Sequence, residues 1–211
     1  MTQADPAQIR ILTVDDHPML RDGVSAVIEL QPDMAVVGEA ENGLLAVERF
    51  RALRPDITLM DLQMPGGGGL DAIRAIRKEF PAARIIVLTT YAGDAQALSA
   101  LKAGASGYLL KSTLRKELLD TIRKVHSGLR HLPADIASEI ALHAGDETLS
   151  DREIGVLTLV AAGEANKQIA WKLSISEDTV KAHLKNIFAK LGVADRTHAV
   201  TVAARRGIIE L

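Results

Sequence analysis

With 211 residues, of which 47% are hydrophobic, the chain has room for one or two folded domains, each with its own core. It contains no cysteine, which excludes a disulfide framework, a thiolate metal site and a cysteine nucleophile, and suits a reducing compartment. The net charge of −2 divides into −4 over residues 1–147 and +2 over residues 148–211, a basic excess too small to name a partner unaided.

The first residues have neither the basic start nor the apolar core of a leader, and no apolar run approaches the length of a membrane span. A cytoplasmic protein with no membrane partner is expected. Five short apolar, β-branched runs then read as strands: Ile9 to Val14, Met34 to Val37, Asp56 to Met60, Arg84 to Thr89 and Gly107 to Leu110. Between and after them lie apolar stripes at helical offsets: Leu20, Val24, Val27 and Ile28; Leu44, Val47 and Phe50; Leu70, Ile73 and Ile76; Leu98 and Leu101; Leu114, Leu118, Ile122 and Val125. Pro32, Pro55, Pro81, Gly104 and Gly128 follow the helical runs, where they end a helix at little cost. Five alternations with right-handed crossovers predict an α/β, doubly wound parallel sheet whose site lies beyond the carboxyl ends of its strands.

At that rim the first strand runs into Asp15 and Asp16, the third ends near Asp61, the fourth at Thr89 and the fifth at Lys111. Carboxylates gathered there repel one another unless a cation joins them, and an oxygen-only set suits Mg²⁺. A metal-bound aspartate can attack a phosphoryl donor to form an acyl phosphate, with Lys111 and the Thr89 hydroxyl placed to hold the new oxygens. Taken singly, each of these residues is an ordinary cap or turn residue; together they point to phosphoryl chemistry. His17 precedes Pro18 at a helix start and is given no catalytic role. The glycines from Gly66 to Gly69 cannot form a P-loop, because Leu70 and Asp71 follow where a lysine and a hydroxyl are needed. A mobile loop is expected there.

Asp15-Asp16, Thr58-Leu-Met-Asp61-Leu-Gln-Met-Pro65, Val87-Leu-Thr89 and Ala103-Gly-Ala-Ser-Gly-Tyr108-Leu-Leu-Lys111 resemble the receiver domain of two-component response regulators over residues 8–128. The resemblance implies a five-stranded sheet in the order 2-1-3-4-5, with Asp61 as phosphoacceptor and a histidine kinase as donor. It implies that Asp16, Asp61 and the Gln63 carbonyl ligate Mg²⁺ and that Asp15 acts through metal-bound water. Lys111 would contact the phosphoryl group, and Thr89 and Tyr108 would form a switch pair. Ser112, standing where many receivers carry proline, leaves the aim of Lys111 open. Tyr91, two positions beyond Thr89, is expected to slow loss of the phosphoryl group.

Residues 129–147 read as a linker, partly helical through Ile136, Ile140 and Leu142. Ser150-Asp-Arg-Glu153 is a capping box that opens a helix carrying Ile154, Leu157 and Val160. Gly163 ends it, Ile169, Ala170 and Leu173 mark a second helix, and Ser174-Ile175-Ser176 turns into a third beginning near Glu177. There Val180, Leu184, Ile187 and Leu191 face inward, leaving Lys181, Ala182 and Lys185 outward on a face suited to the major groove.

Leu149-Ser-Asp-Arg-Glu153, Gly163-Glu-Ala-Asn-Lys-Gln-Ile-Ala170, Ser176-Glu-Asp-Thr-Val-Lys-Ala-His183 and Lys190-Leu-Gly-Val-Ala-Asp-Arg196 are similar to the LuxR-type, all-α helix-turn-helix domain of NarL/FixJ regulators, over residues 148–211. By that resemblance Lys181, Ala182 and Lys185 read bases, while Asn166, Lys167, Thr179, His183 and Lys190 meet the phosphate backbone of double-stranded DNA. The last helix, Asp195 to Arg206, has a broad apolar arc that in this family pairs two copies, so a homodimer is expected. The expected function is phosphorylation-controlled transcription regulation, not enzymatic turnover. An aspartate-nucleophile phosphohydrolase would carry Asp-x-Asp, whereas Leu62 and Gln63 follow Asp61. A DNA-binding protein with an idle receiver would be expected to have lost part of the Asp15, Asp16, Asp61, Thr89 and Lys111 set, which is intact.

Overall fold

The computed structural model describes residues 8–64, 68–90 and 93–209. They divide into two compact units, one reaching Thr90 and resuming over Leu98–Pro133, the other comprising residues 134–209 together with 93–97.

In chain order the first strands and helices are β1 (Ile9–Val14), α1 (Pro18–Glu29), β2 (Met34–Ala40), α2 (Gly43–Leu53), β3 (Ile57–Asp61), α3 (Gly69–Glu79), β4 (Ile85–Thr89), α4 (Asp94–Ala103), β5 (Gly107–Leu110) and α5 (Leu114–His126). The strands form one sheet in the order β2-β1-β3-β4-β5, all pairs parallel. Every residue of β3 and β4 is buried, as continuous apolar runs require of strands covered on both faces. Ile11, Ile57, Leu59, Ile86 and Leu109 pack with Ile28 of α1 and with Leu114, Leu118, Ile122 and Val125 of α5 in one core.

Some details depart from the sequence expectation. Strand β2 runs on to Ala40, because the pairing with β1 shifts register between Ile11 and Leu12 and continues through Thr13–Glu39 and Val14–Ala40. Val27 and Leu44 point to solvent, and on α2 Ala46 joins the expected Phe50 on the buried face. Helix α2 starts on the Asn42 side chain, which accepts from the Leu45 N–H at 2.9 Å, and ends on Arg54 in the left-handed region at φ 46. The Arg54 guanidinium stacks 3.9 Å over the Phe80 ring. Beyond α5, His131 adds a bridge beside Gly107, accepting from Tyr108 N–H at 2.9 Å and donating to the Ser106 carbonyl.

The second unit holds α6 (Ala134–Leu142), α7 (Asp151–Ala161), α8 (Asn166–Leu173), α9 (Glu177–Leu191) and α10 (Arg196–Arg205). The capping box forms: the Ser150 side chain accepts from Glu153 N–H, and the Glu153 carboxylate accepts from Ser150 N–H at 2.8 Å. Ser174, left-handed at φ 54, turns α8 into α9, whose first turn is capped by Ser176. Val156, Leu157, Ile169, Val180, Leu184, Ile187, Ala199 and Ala203 close the core of this unit. Among the described residues, no helix is long and apolar enough to cross a membrane.

Candidate functional site

Because β1 and β3 are neighbours, their carboxyl ends bring Asp15, Asp16 and Asp61 together. Asp15 and Asp61 are almost wholly buried. Lys111 arrives from the end of β5, its backbone N–H fixed to the Thr89 carbonyl at 2.7 Å. Its Nζ lies 2.6 Å from Asp61 Oδ2 and 2.8 Å from Asp15 Oδ2, so the lysine aims into the acidic group with serine following it. Burial pushes the Asp61 carboxyl above its ordinary value, while Lys111 and the Gln63 N–H, 3.1 Å from Asp61 Oδ1, only partly oppose that rise. For Lys111, burial favours the neutral form, but hydrogen bonds to Asp15 and Asp61 outweigh it and hold the ammonium above its ordinary range.

The donor set fits a hard cation. Asp15 Oδ2 and Asp16 Oδ1 are buried, their polar contacts being Lys111 at 2.8 Å and His17 at 2.9 Å. Oxygens of Asp15, Asp16 and Asp61 and a nitrogen of His17 all lie within 4.8 Å of one another. His17, assigned no role from the sequence, is therefore part of the cluster: Nδ1 stands 2.9 Å from Asp16 Oδ1 and 3.2 Å from Asp15 Oδ1, with the ring largely exposed. Nothing in its spacing shows this, because the turn after β1 sets the direction of the ring. Gln63 sits beside Asp61, its side-chain oxygen accepting from the Thr90 hydroxyl at 3.1 Å.

Thr89 and Tyr108 are both fully buried and are joined by a side-chain hydrogen bond. The ring of Tyr108 is thus inward, and burial holds its hydroxyl far above the ordinary tyrosine value. Gly69, first residue of α3, packs against the Asp61 backbone so closely that a Cβ would lie 1.9 Å from the Asp61 carbonyl oxygen; its lack of a side chain serves close approach. Of the mobile loop expected over Gly66–Gly69, Gly66 and Gly67 lie outside the described residues, as does Tyr91 with its expected slowing role, whereas Gly68 caps α3 and Gly69 is its first residue.

In the second unit, burial of Val180, Leu184 and Ile187 orients α9 so that Lys181, Ala182 and Lys185 are exposed on one face. Lys181 pairs with Asp178 at 2.9 Å, and that hydrogen bond holds its ammonium above the ordinary value. Thr179 is exposed with its hydroxyl 2.8 Å from that of Ser176, and His183 is half-buried. At the start of α8, Lys167 is exposed and Asn166 half-buried, with a buried Oδ1 that has no hydrogen bond. Lys190 is held internally: Nζ reaches Glu153 Oε2 at 2.9 Å and the Thr148 carbonyl at 3.2 Å.

Residues 11–123 match the family described as the response regulator receiver domain, and residues 147–203 that of bacterial regulatory proteins of the luxR family. The chain is 40% identical to the transcriptional regulatory protein LiaR of Bacillus subtilis over 209 residues, 95% of this chain and 99% of LiaR. It is 36% identical to the response regulator protein VraR of Staphylococcus aureus over 207 residues, 96% of this chain and 99% of VraR. Among solved structures, RcsB of Salmonella enterica serovar Typhimurium, bound to a promoter in the presence of the phosphomimetic BeF₃⁻, aligns with a TM-score of 0.70 at 29% identity, covering 94% of this chain and 98% of RcsB. A receiver fold with its acidic rim, followed by a luxR-family helix-turn-helix unit in relatives matched over nearly their whole length, places this chain among the response regulators, as a DNA-binding transcription regulator and not an enzyme.

Proposed function

We propose that Asp61 accepts a phosphoryl group from a histidine kinase and that the change in charge controls binding of promoter DNA by the C-terminal unit, acting as a homodimer in the cytoplasm. The observation that carries this is the convergence of Asp15, Asp16, Asp61 and Lys111 at one rim. In the transfer, a carboxylate oxygen of Asp61 forms a bond to phosphorus as the phosphorus–nitrogen bond to the kinase histidine breaks, and the imidazole leaves with the electron pair. Asp16, Asp61 and the Gln63 carbonyl would hold Mg²⁺ directly and Asp15 through water; when bound, the ion offsets repulsion between the carboxylates and the incoming oxygens. Lys111, already on Asp61, then holds a phosphoryl oxygen.

Thr89 and Tyr108 supply the readout. Once Asp61 carries phosphoryl oxygens, the Thr89 hydroxyl exchanges its bond with Tyr108 for a charge-assisted bond to the phosphoryl group, and the inward ring holds the reshaped outer face. On α9, Lys181, Ala182 and Lys185 face the bases, while Asn166, Lys167, Thr179, His183 and Lys190 lie towards the backbone. For Lys190 that role requires exchanging its pair with Glu153 for a phosphate. Domain limits of 8–128 and 148–211, with 129–147 connecting them, suit this division of work.

The test is Asp61→Asn. Wild-type protein treated with a small phosphodonor and Mg²⁺ is expected to gain the mass of one phosphoryl group, to dimerise more and to bind its operator more tightly, and the variant to do none of these. Unchanged phosphodonor-stimulated dimerisation and DNA affinity in the variant would show an idle receiver.

A further inference from the structure

At the opposite end of the sheet from Asp61, α3 and the C-terminal end of α4 flank an open surface cavity of about 520 Å³ lined by Arg74, Arg77, Lys78 and Lys102 together with Pro81, Ser99, Ala103 and Gly104. Cations in the last turn of a helix are expected on dipole grounds. Here, however, two helices deliver three of them, with Arg74 one turn earlier on α3, to one concave volume. Arg74 pairs with Asp71 at 2.8 Å, whereas Arg77, Lys78 and Lys102 have no carboxylate within ion-pair distance among the described residues. Two helix C-termini cancel about one positive charge between them, so about two remain in excess.

One of these cations is rigidly placed. Arg77 donates through Nη1 to the carbonyls of Pro81 and Ala83, the latter at 2.9 Å. Its side chain lies against Gly104, where a Cβ would sit 2.6 Å from Nε and where φ is +105. Only glycine takes that backbone angle without strain and leaves that space. Nε and Nη2 of Arg77 have no protein partner among the described residues, which leaves a fixed set of N–H donors beside the two exposed ammonium groups of Lys78 and Lys102.

We propose that this cavity binds a compact small molecule bearing phosphate groups and at least two negative charges, of which inorganic pyrophosphate is the simplest representative. Its volume falls in the range of small-molecule sites, and guanidinium and ammonium donors match phosphate oxygens. No aromatic side chain lines it, so it offers nucleic-acid bases no stacking platform.

Titration of the full-length protein with pyrophosphate in metal-free buffer, followed by calorimetry, tests the site. One bound anion is expected, weakened about tenfold or more in Lys78→Ser/Lys102→Ser, whose two positions are exposed, and retained in Lys181→Ser/Lys185→Ser on α9. Absence of binding up to about 1 mM, equal affinity in wild type and the Lys78/Lys102 variant, or loss only in the α9 variant would each overturn the proposal. A DNA duplex that displaces pyrophosphate from the α9 variant would also overturn it, since the cavity would then be part of a nucleic-acid surface.

Discussion

Lys111 is the counter-charge of two buried carboxylates, and its removal should show how much the pocket depends on a cation. Lys111→Met is expected to lower stability by about 3 kcal/mol in metal-free buffer, the usual cost of leaving a buried ion without its partner. Most of that loss should return with Mg²⁺, which binds the native state alone; urea unfolding with and without Mg²⁺ is the measurement, and an equal loss in both would mean that the carboxylates hold no cation. Tyr108→Phe removes only the hydroxyl bonded to Thr89, so a loss of about 1 kcal/mol with phosphoryl acceptance intact is expected. At this scale, Asp15, Asp16, Asp61, Thr89 and Lys111 were legible because strand ends in a parallel sheet share one rim. The ring direction of His17 and the internal pairing of Lys190 were not, since each depends on a neighbour that no local pattern brings near.

Helix α7 begins on a capping box whose acid does two jobs, satisfying Ser150 and pairing with Lys190 on α9. Burial favours the neutral form of Glu153, but the Ser150 and Lys190 hydrogen bonds prevail and hold its carboxyl below the ordinary 4.5. A group whose pKa is depressed by folding stabilises above its unfolded value and loses that contribution as pH falls through the folded one. Glu153→Gln should therefore cost about 1–2 kcal/mol near neutral pH, and the gap from wild type should shrink below pH 4.5; melting curves across acidic pH check this, and a constant gap would refute it. On α9 and α8, loss of a base-facing cation differs from loss of a phosphate contact. Lys185→Ala should reduce preference for the specific site, by about 1–3 kcal/mol. Lys167→Ala should weaken all sequences alike and flatten the salt dependence. Binding assays on specific and scrambled duplexes at several salt concentrations separate them. The alternation of strands and helices was readable from periodicity, whereas Leu44 and Val27 misled it because a helix stripe wider than its contact leaves apolar residues outside.

For the whole molecule, the expected homodimer rests on α10, where Ala199 and Ala203 are consumed by the core while Val202 lies outside that cluster. Val202→Asp is expected to abolish cooperative binding to paired half-sites while sparing affinity for an isolated half-site. Gel shifts on the two duplexes measure it, and retained cooperativity would move the dimer contact elsewhere.

Periodicity and strand-end chemistry determined a doubly wound parallel sheet, an acidic rim at its strand ends and a helix-turn-helix, because each follows from local spacing and from the chirality of crossovers. Tertiary structure alone decided the direction of Lys111 and His17, the inward ring of Tyr108, the Glu153–Lys190 pair and the basic cavity between α3 and α4. Those features join residues far apart in the chain, and only packing brings their side chains within bonding distance.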